Sequence, residues 1–436
     1  MDFKEVNERY TLPEAIKEAQ RCLHCKVPGC KKGCPISNEI PDWIAELAKG
    51  NFGNAVSIIN SRSNLPAVCS RVCAHEKQCE GNCVLAKKGQ AIHIGRLERF
   101  ISDFDTEAAF SHEGLPEKSR GRVAVIGSGP AGLTIAGDLS RRGFAVEIFE
   151  MEPEPGGVLM FGIPEYRLPK DVVRHEIKKI ENLGVVFHMS TTVGEELTVD
   201  DLFARGFDAI FMGTGTGVPK RLDIPGITHP GVRQAIRFLR RVSLYENGLM
   251  SRDEVVVGPG DHVFVVGGGN TAMDAARTAL RMGADEVTVI YHRSIDTMKA
   301  LRSEYDEAVA EGVKFLWNTS IKEIEGEEGS PKLTAITIDT EGKISRVPAQ
   351  HVIQAVGSAP ASRIVSTTDG IETDSRGYVT VRENPYGMTT RNGVFAGGDV
   401  TARPATVVHA MEDAKKVAEG IAKYVDAVKL MQEIQK

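Results

Sequence analysis

Two short β-branched runs, each followed at once by a glycine-rich turn, constrain this chain more than any other feature. VAVI at residues 123–126 precedes GSGPAGL at 127–133, and VFVV at 263–266 precedes GGGNTAMD at 267–274. Each turn leads into a helical pattern, which is the order of the βαβ unit that binds dinucleotides. Short strands alternate with helical segments from residue 122 onward, which predicts an α/β fold with parallel sheets. We therefore expect two Rossmann-like domains of related design.

The first turn has the full G-x-G-x-x-G pattern, and its three glycines have separate tasks. Gly127 permits the tight turn, Gly129 lets a pyrophosphate approach the backbone, and Gly132 lets the helix pack closely on the strand. The next strand, 145–149, ends in Glu150, whose carboxylate can accept hydrogen bonds from ribose hydroxyls. Glycine turns after two later strands are expected to reach the same ligand: Gly213 and Gly215 after 209–212, and Gly397, Gly398 and Asp399 after 394–395.

The second turn carries Ala272 in place of the third glycine, which the fingerprint tolerates. The strand that follows it, 287–291, ends in His292 and Arg293 and not in an acid. A cation at this position can pair with a 2′-phosphate, which a carboxylate would repel. The sequence therefore favours NADPH, with NADH possible, and the preference stays open if Arg293 is only a solvated surface charge.

The first nucleotide site ends in an acidic residue, which indicates a flavin site. The second ends in basic residues, which indicates a pyridine nucleotide site, and hydride would pass between the two. A glycine turn of the first type returns at Gly397, after the second site, so the pyridine nucleotide domain is expected to be inserted in the flavin domain. A polar stretch at 111–119 predicts a linker after a mostly helical amino-terminal region. The predicted domains are a helical domain at 1–118, the flavin domain at 119–224 and 360–436, and the NAD(P)H domain at 225–359.

All eight cysteines lie in the helical region, in two groups: Cys22, Cys25, Cys30 and Cys34, then Cys69, Cys73, Cys79 and Cys83. Proline follows Cys34, as in the bacterial ferredoxin run, in which the fourth cysteine serves the other cluster of a pair. Two iron-sulfur clusters could be built here, with structural zinc as the alternative. Zinc cannot carry electrons, whereas a chain that binds two redox nucleotides needs a route by which electrons leave, and this favours iron-sulfur clusters. No cysteine lies in 84–436, which excludes a flavin-linked disulfide in that part.

Several strings along the chain resemble one known family. They are RCLHC at 21–25, CPISNEIP at 34–41, CEGNC at 79–83, IGRLER at 94–99, GGVLMFGIP at 156–164, GNTAMD at 269–274 and GGD at 397–399. Together they resemble the small (beta) subunit of glutamate synthase. The same module is similar to the amino-terminal half of dihydropyrimidine dehydrogenase and to the large subunit of electron-bifurcating ferredoxin:NADP oxidoreductases. The resemblance covers nearly the whole chain.

The resemblance implies two 4Fe-4S clusters in the helical domain. It assigns Cys22, Cys25, Cys30 and Cys83 to one cluster, and Cys34, Cys73, Cys79 and Glu98 to the other. Cys69 is then a spare thiol that packs as a small apolar residue. The alternative is two all-cysteine clusters, with Cys69 as a ligand in place of Glu98.

The resemblance also implies which residues contact the nucleotides. FAD would meet Gly129, Ala131, Glu150, Gly157, Gly398 and Asp399, and NADPH would meet Gly267, Gly269, Asn270, Thr271, His292 and Arg293. No side chain is expected to act as a catalytic acid or base, because hydride transfer needs none. The second nucleotide domain would then deliver hydride to the one flavin, and the cysteine domain would take electrons from it.

The function implied is that of an electron-input oxidoreductase, which takes hydride from NADPH to FAD and passes electrons through the clusters to a partner. The partner would be an FMN-containing glutamate synthase large subunit, for L-glutamate synthesis, or a ferredoxin-like acceptor. The alternatives are an input subunit of dihydropyrimidine dehydrogenase or of a ferredoxin:NADP oxidoreductase, a stand-alone flavin reductase with a zinc-stabilised appendage, and a redox sensor without turnover.

Charge and hydropathy exclude two classes of partner. The net charge is −6 and no lysine- or arginine-rich tail is present, so nucleic acid is not expected. No stretch approaches the roughly 20 apolar residues of a membrane span. A cytoplasmic location is expected.

Overall fold

The computed structural model describes residues 2–108, 114–401 and 406–435, and these form two compact units. The small unit contains residues 2–5, 161–166 and 218–358, and the large unit contains the remaining described residues. Residues 111–113 of the predicted linker lie outside the described residues. The small unit contains nearly all of the predicted NAD(P)H domain, and most of the predicted helical and flavin regions fall in the large unit. The three predicted limits between these segments stay a prediction.

The helices in chain order are α1 (Leu12–Ala19), α2 (Gly29–Gly33), α3 (Ile40–Ala48), α4 (Phe52–Asn60), α5 (Pro66–Val72), α6 (Ile94–Ala108), α7 (Pro130–Arg141), α8 (Val158–Phe161), α9 (Lys170–Glu181), α10 (Val199–Ala204), α11 (Ala235–Glu246), α12 (Asn270–Arg281), α13 (Arg302–Ala310), α14 (Arg363–Ser366) and α15 (Val407–Ile434). Short 3₁₀ turns add Val84–Lys88, Arg252–Glu254, Ile295–Thr297 and Gly398–Thr401.

The strands are β1 (Gly121–Ile126), β2 (Phe144–Phe149), β3 (Val186–His188), β4 (Ala209–Met212), β5 (Val218–Pro219), β6 (Val232–Gln234), β7 (His262–Val266), β8 (Glu286–Ile290), β9 (Lys314–Leu316), β10 (Thr319–Glu325), β11 (Ala335–Thr340), β12 (Lys343–Pro348), β13 (His351–Gln354), β14 (Ser358–Ala359), β15 (Val381–Glu383), β16 (Tyr386–Thr389) and β17 (Val394–Ala396). Both glycine-rich turns therefore follow a strand and open a helix, as predicted.

Helices α1, α3, α4 and α6 of the large unit pack around an apolar core of their own. Trp43, Ile44 and Leu47 place one face of α3 in this core, at the spacing of a helix that is buried on one side. A capping box between Thr11 and Glu14 begins α1. The cysteines lie in the turns and short helices between these packed elements, so the core holds them in fixed positions.

The rest of the large unit is a seven-stranded sheet in the order β15-β16-β17-β4-β1-β2-β3. β1 lies parallel to both β2 and β4, and its last four residues, Val123 to Ile126, are buried. Strands buried on both faces read as continuous apolar runs. The long helix α15 packs against α7, which begins at the first glycine turn.

The small unit has a parallel five-stranded sheet in the order β6-β13-β7-β8-β9 and an antiparallel sheet β10-β11-β12. β7 is central, and α12 follows it directly after the second glycine turn. The predicted α/β class with a helical amino-terminal region is confirmed. No helix within the described ranges combines the length and apolar character needed to cross a bilayer.

Candidate functional site

The first glycine turn is closed on one side and open on the other. Gly127 has φ +94°, and a Cβ on Gly132 would lie 1.9 Å from the carbonyl oxygen of Gly127, so the turn packs tightly on α7. A Cβ on Gly129 would meet nothing within 4 Å. The backbone can therefore be approached at Gly129, where the first turn of α7 offers free N–H groups. This geometry fits a pyrophosphate.

Three other predicted segments meet at this turn. A Cβ on Gly127 would lie 2.9 Å from the Gly213 oxygen, and one on Gly157 would lie 3.0 Å from the Gly129 Cα. A Cβ on Gly398 would lie 3.1 Å from the Ala131 Cβ. Gly215 has φ +62° and faces open space. The structure thus gathers the predicted flavin-binding residues around the start of α7: Gly127, Gly129, Ala131, Gly132, Gly157, Gly213 and Gly398.

The two predicted acidic residues of this site are both removed from bulk solvent. Glu150 is buried immediately after β2, and its Oε1 accepts a hydrogen bond from the N–H of Glu152 at 2.9 Å. Asp399 follows Gly398, and burial raises the pKa of its carboxyl to about 6. Desolvated acceptors of this kind suit ligand hydroxyl groups, which can donate to them.

Asp413, which the sequence did not single out, fixes the turn that carries Asp399. Its Oδ2 accepts from the Gly398 N–H at 2.7 Å, and its Oδ1 accepts from the Tyr386 hydroxyl at 2.7 Å. Asp413 lies on α15, and Gly398 follows β17. Asp413 thus links α15 to β16 and to the turn after β17, which are separate segments of the chain. No sequence pattern indicates these contacts.

The second glycine turn repeats this arrangement in the small unit. A Cβ on Gly267 would lie 2.5 Å from the Ala355 oxygen, whereas one on Gly269 would meet nothing within 4 Å. Asn270 begins α12, and its Oδ1 accepts from the Leu301 N–H at 2.8 Å. Asn270 therefore fixes a neighbouring loop through its side chain, while Gly269 leaves the start of α12 open. This geometry also fits a pyrophosphate.

The basic pair after β8 is exposed. His292 and Arg293 both lie on the surface, and within the described ranges neither side chain forms an ion pair. Thr271 is also exposed, in the first turn of α12. The predicted residues thus belong to one Rossmann-like unit, and the exposed guanidinium of Arg293 is available to an anionic ligand.

Four of the eight thiols line one cavity, which we call cavity A. They are Cys22, Cys25, Cys30 and Cys83, and apolar side chains such as Ile40, Ile44 and Ile92 complete its wall. Burial raises the pKa of Cys22 and raises that of Cys30 to about 11. A Cβ on Gly29 would lie 2.2 Å from the Asn82 oxygen, so the segments around Cys30 and Cys83 touch closely.

The other four thiols line a second cavity, which we call cavity B. Its wall includes Cys34, Cys69, Cys73, Cys79 and Glu98. Burial raises the pKa of Cys34 to about 11 and also raises that of Cys79. Within the described residues, no three His, Cys, Asp or Glu side chains are close enough to hold a single metal ion. The four thiols of each cavity instead line a space between them.

Glu98 is the unusual member of cavity B. It is buried on α6 and makes no hydrogen bond within the described residues, while burial, with a smaller contribution from Glu176, raises its pKa to about 8. A buried carboxyl without a partner is costly. Cys69 has partners: its Sγ lies 3.5 Å from the Met411 Sδ, and it hydrogen-bonds Cys73. The donor set of cavity B, including Glu98, fits a cluster.

The two cavities share part of their walls, and cavity B adjoins α15, the helix that contacts the flavin turn where a Cβ on Gly398 would lie 3.6 Å from the Ala410 Cβ. Ile40 and Ile94 line both cavities. Cavity B is also lined by Val408, in the first turn of α15, the helix that follows the Asp399 turn. Cavity B is therefore close to the start of α15, and cavity A lies on the other side of the shared wall.

His75 also lines cavity B and was missed by the sequence analysis. Its Nε2 is buried and has no partner within the described part of the chain, and burial lowers its pKa to about 4. The spacing Cys73-x-His75 matches no metal-binding pattern, so only the folded arrangement identifies this residue.

Comparisons with known proteins agree with this geometry. Residues 1–110 match the family described as dihydropyrimidine dehydrogenase domain II, 4Fe-4S cluster, and residues 121–414 match the pyridine nucleotide-disulphide oxidoreductases. The chain is 35% identical to the glutamate synthase [NADPH] small chain of Halomonas elongata, over 97% of this chain and 93% of that one. It is 34% identical to the Escherichia coli K12 small chain, over 98% and 94%. It is 32% identical to the NAD-dependent dihydropyrimidine dehydrogenase subunit PreT of Escherichia coli K12, over 97% of each.

Solved structures share the fold of about 70% of the chain. A thioredoxin reductase from T. acidophilum aligns with a TM-score of 0.55 at 20% identity, covering 71% of this chain and all of that one. FprA from Mycobacterium tuberculosis in complex with NADPH aligns with a TM-score of 0.57 at 20% identity, covering 72% and 86%. The predicted cofactor classes, 4Fe-4S clusters, FAD and NADPH, are confirmed. The chain belongs to the glutamate synthase small-chain family, in which a 4Fe-4S domain precedes a pyridine nucleotide-disulphide oxidoreductase.

Proposed function

We propose that this chain is the electron-input subunit of a glutamate synthase, which oxidises NADPH and delivers electrons to a large subunit that forms L-glutamate. The observation that carries the proposal is the succession of the flavin turn, cavity B and cavity A within one compact unit. The similarity to glutamate synthase small chains over nearly the whole length supports it.

Each site residue has a role in this proposal. When bound, FAD accepts hydride and the 4Fe-4S clusters carry single electrons. Cys22, Cys25, Cys30 and Cys83 hold the cluster of cavity A, and Cys34, Cys73, Cys79 and Glu98 hold the cluster of cavity B. Cys69 remains the alternative to Glu98, since both side chains line cavity B.

The nucleotide residues bind and orient, and they move no proton. Gly129 and the start of α7 contact the FAD pyrophosphate, Glu150 contacts its ribose, and Asp399 contacts a flavin hydroxyl. Gly269 and the start of α12 contact the NADPH pyrophosphate. His292 and Arg293 contact its 2′-phosphate, because both are exposed and neither forms an ion pair in the described residues, and the Arg293 guanidinium supplies the positive charge.

The partner in this proposal carries FMN, and a ferredoxin-like acceptor is the alternative. A dihydropyrimidine dehydrogenase input subunit is the second candidate function, favoured by the match of residues 1–110 and the similarity to PreT. A cytoplasmic location completes the proposal.

The test is co-expression with a glutamate synthase large chain encoded in the same genome, followed by purification without air. We expect a complex that contains FAD and iron and forms glutamate from glutamine and 2-oxoglutarate only with NADPH. A Cys30→Ser variant should retain FAD, lose about half of its iron and lose glutamate formation. The second candidate would be established if the chain stays separate from the large chain and supports NAD(P)H-dependent uracil reduction together with the catalytic subunit of a dihydropyrimidine dehydrogenase. Zinc in place of iron would refute both.

A further inference from the structure

The mouth of cavity A carries exposed aliphatic side chains. Leu23, Val27 and Val84 are 59%, 65% and 47% exposed, and Leu23 and Val84 line the cavity directly. Its four cysteines are all half-buried, whereas Cys69 and Cys79 of cavity B are buried. Cavity A is therefore the more exposed of the two, and its rim presents apolar surface that a protein partner can cover.

Two segments of this rim are basic, on a chain whose net charge is −6. No Asp or Glu occurs from Ala19 to Asn38 or from Gly81 to Leu97. Lys26, Lys32, Lys87 and Lys88 are exposed in these two segments, and in the described ranges none of them forms an ion pair. Two other cations of these segments are neutralised by acids outside them, because Lys31 pairs with Glu39 and Arg21 pairs with Glu18.

These two basic segments form one surface. Gly29 and Gly33 contact Asn82 so closely that a Cβ on either glycine would clash with it. Lys32 thus adjoins the segment that leads through Cys83 to Lys87 and Lys88. We define the outlet face as Leu23, Val27, Val84, Lys26, Lys32, Lys87 and Lys88.

We propose that the outlet face is the docking surface for an acidic protein that accepts electrons from the cluster of cavity A. This inference rests on the proposed function, since it assumes a cluster in cavity A. Lysines around an apolar centre steer an acidic partner by charge and then seat it by burial of the aliphatic side chains. The electron leaves the reduced cluster and reduces the partner's own redox centre, so no further reactant is needed.

The test compares two redox proteins of opposite charge as electron acceptors for the NADPH-reduced holoenzyme. Rubredoxin is a small acidic iron protein and cytochrome c is a basic one, while menadione is a small neutral acceptor that reports on the flavin. The variant Lys87→Glu with Lys88→Glu reverses the charge of the outlet face. A control, Lys343→Glu with Lys423→Glu, makes the same change in net charge at exposed lysines of β12 and α15.

We expect the outlet-face variant to reduce rubredoxin about tenfold more slowly at low salt and to lose most of the salt dependence of the wild-type reaction. Its reduction of cytochrome c should become faster, and its menadione rate, FAD content and iron content should stay at wild-type values. The control variant should behave as the wild type with rubredoxin.

Three results would overturn the proposal. The first is a rubredoxin rate and salt slope equal in the variant and the wild type. The second is an equal loss in the control variant, which would assign the effect to net charge alone. The third is light scattering that shows a dimer for the wild type and a monomer for the outlet-face variant. The outlet face would then be a contact between two copies of this chain. A wild type that holds no iron, or that fails with menadione, would refute the proposed function instead.

Discussion

The carboxylate of Glu150 accepts two hydrogen bonds from Ser128, one from its N–H at 2.8 Å and one from its hydroxyl at 2.6 Å, both at Oε2. Ser128 lies between Gly127 and Gly129, so the acid at the end of β2 fixes the phosphate-binding turn after β1. The same hydroxyl oxygen accepts from the Gly156 N–H at 2.9 Å. One buried carboxylate therefore positions both glycine segments of the predicted FAD site.

Replacing Glu150 with Ala should weaken FAD binding by at least about tenfold, which is about 1.4 kcal/mol. The variant leaves the N–H groups of Ser128 and Glu152 without their acceptor, and each such loss costs about 1–3 kcal/mol. FAD per chain after gel filtration, and a titration of the apoprotein with FAD, measure the effect. Glu152→Ala is the matched control, because it removes a neighbouring carboxylate and keeps the N–H that Glu150 accepts. Equal FAD content in the two variants would refute the role of Glu150.

Reversing the charge of Arg293 should move the nucleotide preference toward NADH. A carboxylate after β8 repels the 2′-phosphate and can accept from a ribose hydroxyl. We expect Arg293→Glu to lower the ratio of kcat/KM for NADPH to that for NADH by at least about tenfold. Lys343→Glu makes the same charge change on β12 and should leave the ratio unchanged. An unchanged ratio in Arg293→Glu would mean that other residues recognise the 2′-phosphate.

The nucleotide folds were predictable because their determinants are local. The apolar run of β1 and the close contact between Gly127 and Gly132 depend on residues within one strand, turn and helix. The grouping of the cysteines is different. Cys83 joins Cys30 in cavity A, while Cys34, four residues after Cys30, lies in cavity B. Spacing alone left this open, and the family resemblance provided the expected sets.

The remaining site residues depend on contacts between distant segments. Asp413 meets Gly398 because α15 returns across β16 and β17, and His75 lines cavity B because α6 packs beside it. Neither contact leaves a periodic or spacing signal in the sequence. Packing of this kind is visible only in the folded chain.

Glu98 and Cys69 can be distinguished by substitution, since each is expected to matter in only one ligand set. If Glu98 completes the cluster of cavity B, Glu98→Ala should lower the bound iron by about half, whereas Cys69→Ser should retain it. Iron analysis and electron paramagnetic resonance of the reduced protein give the readout, and FAD content is the check on folding. The reverse pattern would assign Cys69 as the ligand and make cavity B an all-cysteine site.

Glu311 should stabilise the small unit in a pH-dependent way. Burial raises the pKa of Glu311, but hydrogen bonds from Arg281 and Arg277 outweigh this and hold it at about 2, below its ordinary value of 4.5. The stabilisation is therefore present above pH 4.5 and is lost as the pH falls toward 2. Glu311→Gln should lower the free energy of unfolding by about 1–3 kcal/mol at pH 7, because it leaves the buried Arg277 with one fewer anion.

Thermal unfolding at a series of pH values checks the Glu311 prediction. The difference between Glu311→Gln and the wild type should narrow below pH 4.5. Glu325→Gln, which breaks the exposed ion pair between Glu325 and Arg346 in the same unit, should change the stability much less, because solvent screens that pair. A stability difference between Glu311→Gln and the wild type that stays constant from pH 7 to pH 3 would contradict the lowered pKa of Glu311.

Gly95 should tolerate no side chain, because it packs against the imidazole of His75. A Cβ on Gly95 would lie 2.5 Å from the His75 Cε1 and 2.6 Å from its Nε2. The ring lines cavity B, so Gly95→Ala should push it into that cavity, lower the free energy of unfolding by about 1–3 kcal/mol and alter the resonance spectrum of the cavity B cluster. Gly53, in α4, is the matched control, since a Cβ there meets nothing within 4 Å. Gly53→Ala should be neutral or stabilising by up to about 1 kcal/mol. Equal unfolding midpoints and spectra for the two variants would show that the contact between Gly95 and His75 does not constrain cavity B.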